Sequence, residues 1–307
     1  LGNVILRKNE YHQTSDIHIS RSMMITLVLS TISLMIPMSL LTQKGYHSLW
    51  VWPILLIAIF FIVNFIITNR QATHPIVHFH TLFSKKPFVG ATMAISSHLT
   101  LLTGIAGINV YIVRILKLPF DISLHFYFFF FVGVIITGIL KMFFYSSVGA
   151  GFLGTLGSSA LLYVSIHWII LGNTINIPLL YIQGLLLGFG ASMTLVSGSM
   201  ATLLDGDLKE AAQRSQTMHT IRNFSAAMLI PIIAYTIKNH IQKGTQSIYA
   251  ENITDKMIYL KKLQDVAIDA DHQIFLLMII FNMVMFVSSI IQMILGKGRR
   301  ITPPRES

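Results

Sequence analysis

The sequence lacks cysteine altogether and has few charged residues. Without cysteine there is no disulfide scaffold, no thiolate metal site and no cysteine nucleophile. Charged residues make up 11% of the 307 residues, whereas roughly a quarter is usual in soluble domains. Because 53% of the residues are apolar and the mean hydropathy is +0.68, lipid must be the solvent for much of the chain. The composition therefore excludes a water-soluble globule and indicates a membrane protein.

Acidic residues are the scarcest charged group. The chain has 12 aspartates and glutamates against 22 lysines and arginines, which gives a formal net charge of +10. None of the 12 acids lies at the middle of a long apolar stretch, and buried acids are the usual proton carriers of secondary transporters. We interpret the positive excess as a bias that orients the chain in a membrane, so no nucleic acid partner is expected.

Eight stretches are long and apolar enough to cross a bilayer as helices, which takes about 20 residues each. These predicted spans cover residues 22–41, 50–68, 88–113, 122–140, 149–171, 179–204, 218–237 and 273–295. The sequence thus predicts an all-α membrane protein with eight transmembrane helices. Residues 1–87 hold a cytoplasmic segment and two spans, and residues 88–307 hold the other six. Between the last two spans, residues 239–272 are predicted to form a long outer loop containing a short amphipathic helix.

Basic residues are distributed unequally between the two predicted sides of the membrane. Fourteen of the 22 lysines and arginines lie on the side that holds both termini, and eight lie opposite. The positive-inside rule then places both termini in the cytoplasm, as an even number of spans requires. We therefore expect a multi-pass protein of the cytoplasmic (inner) membrane. No signal peptide is visible and the chain begins with Leu1, which we interpret as the mark of a fragment.

Glycines recur at helix-packing spacing in the fifth and sixth spans. The positions are Gly151, Gly154 and Gly157, followed by Gly184, Gly188 and Gly190. Because close backbone approach drives helix pairing in lipid, small residues mark the contacting faces. We predict that these spans are interior and that the phenylalanine-rich fourth span shows much of its surface to lipid.

Two basic side chains inside the predicted spans are candidates for function. His98 lies about ten residues into the third span and either couples protons near neutral pH or binds a neighbouring hydroxyl. Arg222 lies near the start of the seventh span, where it either snorkels to headgroups or pairs with an acid of the preceding loop. Those acids are Asp205, Asp207 and Glu210. We predict that Arg222 and these acids form a gate or a structural charge cluster.

The sequence gives no reason to expect a metal or a cofactor. His74, His78 and His80 lie close together, but no carboxylate accompanies them. Asp205-Gly206-Asp207 is similar to the paired acids with which membrane prenyltransferases hold magnesium diphosphate, yet the second acidic motif of such enzymes is missing. We therefore predict no catalytic residue and no enzyme activity.

Several weak motifs follow one another in the order found in a transporter family. The loop His74-Pro75-Ile76-Val77, leading to Leu82-Phe83-Ser84-Lys85-Lys86-Pro87-Phe88, resembles a linker that follows a pair of spans. Tyr181-Ile182-Gln183-Gly184 resembles a glycine-rich span, and Ala211-Ala212 through Arg222-Asn223-Phe224 resembles the loop and arginine that open the next. Together they resemble the fourteen-span drug:proton antiporters of the major facilitator superfamily, the EmrB/QacA type.

The resemblance implies that the chain comprises spans seven to fourteen, namely two linker spans and the C-terminal six-helix repeat. It implies proton-coupled efflux of small amphiphilic or cationic substrates by alternating access. The implied partners are protons, the lipid bilayer, the missing N-terminal half and a periplasmic adaptor protein. Polar residues of interior spans are then candidates to line the substrate cavity, or alternatively to bond between helices: His98, Asn109, Tyr111, Gln183, Ser192, Thr194 and Asn223.

Two departures from the family pattern leave two other hypotheses open. Only Lys141 stands where the family carries a basic loop with an acid, and Ala226-Ala227 stands in place of a glycine pair. A membrane-embedded lipid-modifying enzyme would need His219, Arg222 and the loop acids at one depth. A non-transporting membrane scaffold would need none of these groups.

Overall fold

The computed structural model describes residues 21–45, 48–72, 75–204, 210–251 and 255–296, and this part of the chain contains helices and no strands. Seven of its helices are long and apolar enough to cross a membrane. The prediction of an all-helical, multi-pass membrane protein is confirmed at this level.

The helices match the predicted spans closely at most of their ends. They are α1 (Arg21–Lys44), α2 (Val51–Gln71), the short α3 (Phe79–Leu82), α4 (Lys85–Asn109), α5 (Phe120–Trp168), α6 (Ile177–Leu204), α7 (Ala211–Ala250) and α8 (Lys256–Ile294). A π-helical turn, Val110–Ile115, continues α4. Helices α4 to α8 pack together, and we call them the bundle. Helices α1 and α2 pack against each other, and we call them the linker pair; α1 also lies against α7.

The longest helix, α5, is folded back on itself at Gly149. Its 49 residues would extend about 73 Å if straight, more than twice the thickness of a hydrocarbon core. Gly149 has φ 84° and ψ 173°, a conformation essentially restricted to glycine. The rings of Phe126 and Trp168, near opposite ends of α5, consequently lie only 6.3 Å apart. The sequence predicted the reversal at 141–147, whereas those residues are helical and the chain turns at the following glycine.

Both legs of α5 pack against α6, and glycines permit the approach. Along the first leg, an ideal Cβ on Gly184 would lie 2.8 Å from the Phe126 carbonyl oxygen, and Gly188 faces Phe130 in the same way. Along the second leg the order is reversed, because Gly157 faces Gly190 and Trp168 bonds to Gln183. The two legs are therefore antiparallel, with α6 between them. The predicted interior position of these glycines is confirmed.

The buried face of α8 repeats every three and four residues. The row with this spacing is Ile268, Asp271, Phe275, Met278, Asn282, Met285, Ser289 and Gln292, and Ala270, Ile274 and Ser288 are buried beside it. This spacing is typical of a helix that packs along its length against its neighbours. The main neighbours of α8 are α4 and α5. Half of the positions are polar, so side-chain bonds contribute to the contact as they do between helices in lipid.

Helices α7 and α8 continue well beyond the predicted spans and occupy most of the predicted outer loop. Helix α7 extends to Ala250 and α8 begins at Lys256, and the two run side by side, with Gly244 against Val266. Ile248 is buried there, and Ile268, further along α8, belongs to the core of the bundle. The prediction of a long loop with one short surface helix is wrong in extent, because α7 and α8 continue through most of these residues.

The bundle has two distinguishable ends. At the linker end, the His78 amide donates to the Thr217 hydroxyl oxygen of α7 at 2.8 Å. At the hairpin end, where α7 and α8 extend together, His272 Nε2 bonds the Leu171 carbonyl oxygen at 2.8 Å. Lys238 also lies at the hairpin end and donates to the carbonyl oxygens of Thr42 and Gln43 at the end of α1.

Candidate functional site

Three basic side chains lie together between α4 and α7. The charge of the Arg222 guanidinium acts on the imidazoles of both His98 and His219. All three residues are half-buried, and the buried Arg222 Nε has no hydrogen-bond partner among the described residues. We call these residues the basic cluster. The sequence predicted His98 and Arg222 as candidates separately, and the structure brings them together.

The position of the basic cluster follows from helical periodicity in α7. His219 and Arg222 are three residues apart and so share one face, which also holds the buried Met218, one turn before Arg222. Only 17% of the most apolar stretch of α7 is buried, against 50% for α6. His219 and Arg222 are themselves half-buried, so the face of α7 that carries the basic cluster is partly uncovered. Asn223 lies next to it and is exposed.

Glu210, one of the three acids predicted to pair with Arg222, pairs with Arg214 instead. Glu210 Oε2 lies 3.5 Å from Nη1 of Arg214, one helical turn along the chain. Arg214 is fully buried, and its Nε and Nη2 each donate at 3.0 Å to the carbonyl oxygens of Thr202 and Leu203. Arg214 thus satisfies the last turn of α6, which otherwise leaves carbonyl groups without partners. The other two predicted acids, Asp205 and Asp207, lie outside the described residues.

Three of the predicted cavity residues form bonds within the bundle. Gln183 accepts from the Trp168 indole at 2.8 Å, and the Thr194 hydroxyl lies 2.7 Å from that of Ser97. Tyr111 donates to the Gly172 carbonyl oxygen. Tyr111, Gln183 and Thr194 are buried, so these contacts correspond to the interhelical role that the sequence left open. Their part in a substrate cavity stays a prediction.

The remaining predicted cavity residues are less deeply enclosed. Asn109 is half-buried and its side chain interacts with the Tyr127 hydroxyl. Ser192 is half-buried and its carbonyl oxygen accepts a bond from Lys141. With His98 and Asn223, they are the candidates with side chains that are not fully buried in the bundle.

Sequence reasoning missed two ionisable groups inside the bundle. Lys141, predicted to lie in a loop, is buried, and its Nζ donates to the Ser192 carbonyl oxygen at 2.8 Å. Asp271 is 1% exposed, and neither carboxylate oxygen has a hydrogen-bond partner among the described residues. Asp271 continues the three-and-four spacing of the apolar residues Ile268, Phe275 and Met278 on α8, and this spacing is the signal that would have identified it. Lys141 carried a weaker signal, since the helical apolar pattern continues past it into Met142 and Phe143.

No group of three potential ligand side chains in the described ranges could hold a metal ion. His78 and His80 belong to these ranges, whereas His74 lies outside them. The comparisons with known proteins add no further assignment: no protein-family model and no curated protein sequence matches the chain.

Proposed function

We propose that this chain is the C-terminal part of a membrane transporter of the major facilitator type. In this proposal the two legs of α5 are separate membrane crossings, which makes eight spans with the other six helices. Helices α4 to α8 then form one six-helix repeat, α1 and α2 are linker spans, and an N-terminal repeat completes the translocation path. Both termini lie on the cytoplasmic side of the inner membrane.

The observation that carries this proposal is the basic cluster on a partly uncovered face. A charged side chain within a membrane span is costly, and such residues usually face a water-filled path or a partner within the protein. The bundle is held together by other groups, including Trp168 with Gln183 and Ser97 with Thr194. His98, His219 and Arg222 are therefore available for a substrate, for protons or for the partner repeat.

The charge of this cluster bears on the substrate. The resemblance implies small amphiphilic or cationic compounds, but a guanidinium with two imidazoles attracts anions and repels cations. We propose that this half contributes most to the binding of neutral or anionic amphiphiles. An acid that recognises a cationic substrate then lies outside the basic cluster, either at Asp271, which is buried in the bundle without a hydrogen-bond partner among the described residues, or in the partner repeat. His98, which titrates near neutral pH when unperturbed, is the proposed proton carrier of this half, in an antiporter that exports its substrate, with or without a periplasmic adaptor.

Transport by the complete gene product, with its N-terminal repeat, tests the proposal. Inverted membrane vesicles should accumulate an amphiphilic dye when a proton gradient is applied. We expect His98→Ala and Arg222→Ala to reduce the initial rate about tenfold or more, because each removes a polar group from the path. His125→Ala, which changes an exposed histidine at the hairpin end, is the matched control and should leave the rate unchanged.

Two results would contradict the proposal. Vesicles whose dye content does not respond to the gradient would favour a lipid-modifying enzyme or a scaffold. Equal rates in all three variants would remove the basic cluster from the path. Proteoliposomes containing only the 307 residues should not accumulate dye, since they lack the partner repeat.

A further inference from the structure

A cleft at the linker end is lined by side chains of two kinds. It has a volume of about 850 Å³ and lies between the end of α2 and residues 75–84, within the size range of small-molecule sites. One wall is apolar and includes Ile66, Phe79 and Phe83. The other wall carries Arg70, His78 and His80. The cleft is therefore amphipathic.

The cleft is held open by specific bonds. The Asn69 amide donates to the Val77 carbonyl oxygen at 2.8 Å and its oxygen accepts from the Val77 amide at 3.0 Å. The next amide, that of His78, donates to Thr217 on α7. These three bonds fix the loop to both the linker pair and the bundle, so the cleft is a formed feature of the fold.

The polar wall offers hydrogen-bond donors and positive charge. Arg70 is exposed and forms no ion pair with any described residue, and the buried Nδ1 of His78 has no hydrogen-bond partner among them. No described carboxylate lines the cleft. The negative charge of Glu210 acts on His78, but this carboxylate is paired with Arg214. An anion can therefore enter without meeting an unpaired carboxylate.

The cleft also lies where a lipid headgroup would be. Arg70 is at the end of α2, a helix of 21 residues that is long and apolar enough to cross the membrane, so the guanidinium is at the boundary of the apolar layer. A guanidinium binds a phosphate through two parallel hydrogen bonds. We propose that this cleft binds an anionic phospholipid, with its phosphate on Arg70 and its acyl chains along Ile66, Phe79 and Phe83. The proposal does not depend on transport.

Native mass spectrometry of the full chain, purified in detergent, tests this site. The probes are phosphatidylglycerol and phosphatidylcholine with identical acyl chains. The wild-type chain should retain phosphatidylglycerol preferentially, and Arg70→Gln should weaken its binding about tenfold. Arg114→Gln is the matched control, because Arg114 is also exposed but lies at the hairpin end; it should bind as the wild type does. Arg70 is exposed, so its replacement should not prevent folding.

Two further measurements distinguish binding of a lipid from binding of a free anion. Phe83→Ser should weaken binding of phosphatidylglycerol, because it removes part of the apolar wall, and excess inorganic phosphate should not displace the lipid. Complete displacement by inorganic phosphate would show a free-anion site and overturn the lipid assignment. Equal retention of phosphatidylglycerol by Arg70→Gln and Arg114→Gln would overturn the site itself.

Discussion

The linker pair is more apolar than helices α4 and α6 of the bundle, yet a smaller share of it is buried. The most apolar stretches of α1 and α2 have mean hydropathies of 2.1 and 2.6, and 17% of each is buried. The corresponding values for α4 and α6 are 1.4 and 1.7, with 56% and 50% buried. In water the more apolar helix would be the more buried one. In lipid there is no such driving force, so a strongly apolar helix can be left facing the acyl chains. Within the bundle the trend does not hold for every helix, because α8 has a mean hydropathy of 2.6 with 39% buried and α7 has 1.3 with 17% buried.

Small and polar residues account for the burial in the bundle. The buried residues of α4 are mostly glycine, alanine, serine and threonine, whereas α2 buries only Val51, Ala58, Phe65 and Asn69. The bundle is thus stabilised by close backbone approach along whole helices. The linker pair instead meets the bundle where α1 lies against α7 and through residues 75–84, which Asn69 bonds to α2 and His78 bonds to α7.

The largest effect is expected from a methyl group placed on a contacting backbone of the bundle. A Cβ at Gly133 would collide with the Leu185 carbonyl oxygen and lie 2.7 Å from the Phe189 nitrogen, whereas a Cβ at Gly138 meets nothing within 4 Å. Gly133→Ala should lower the free energy of unfolding by about 1–3 kcal/mol. Gly138→Ala, in the same leg of α5, should be neutral or slightly stabilising. Thermal unfolding in detergent measures both, and equal melting temperatures would show that the bundle tolerates a wider helix spacing.

A more local effect, one that should not reach the melting temperature of the bundle, is expected in the linker pair. Asn69→Leu removes both bonds to Val77 and leaves the buried backbone groups of Val77 without these partners. We call the contact between the end of α2 and residues 75–84 the joint, and this change should destabilise it by about 1–3 kcal/mol. Because the linker pair also meets the bundle through α1, this loss should expose residues 75–84 to limited proteolysis without shifting the melting temperature of the bundle. Asn64→Leu, a half-buried asparagine on the same helix, should change neither. A bundle that melts earlier in Asn69→Leu would show that the two regions unfold together.

Much of this contrast could be predicted from the sequence. The lengths of the apolar stretches locate the helices, because the bilayer fixes how long a span must be. The glycines of α6 identify its contacting faces, because only small residues permit close backbone approach. The exact place where α5 reverses was less predictable, since polar residues at 145–147 suggested a turn and the conformation of Gly149 decided it.

The candidate site was predicted less completely, for a physical reason. His98 and Arg222 were identifiable because a charge in an apolar stretch is conspicuous, but their proximity depends on how α4 and α7 pack. Asp271 was overlooked because it precedes the predicted span by two residues, although α8 buries it beneath the loop after α5. Arg214 was overlooked because its partners are backbone carbonyl oxygens, which no side-chain motif reveals.

The smallest effect concerns pH at the joint between the two regions. Burial lowers the pKa of His78, and the Glu210 carboxylate opposes part of this lowering. In the opened loop the pKa returns to its ordinary value of about 6.5, so opening takes up a proton between the two values. The stability that neutral His78 contributes is therefore present above pH 6.5 and is lost as the pH falls through the lower, folded value. Arg70 and His80 line the cleft together with His78.

Hydrogen exchange of the Val77 and His78 amides, corrected for the intrinsic rate at each pH, measures this opening. Protection should fall by less than about tenfold between pH 7.5 and pH 5, because the loop is only partly enclosed. His78→Gln should remove the pH dependence, and His240→Gln, in the distant part of α7, should retain it. The melting temperature of the bundle should not change over the same pH range, since the joint opens while the bundle stays folded. If the protection of these amides still depends on pH in His78→Gln, another titratable group at the cleft is responsible.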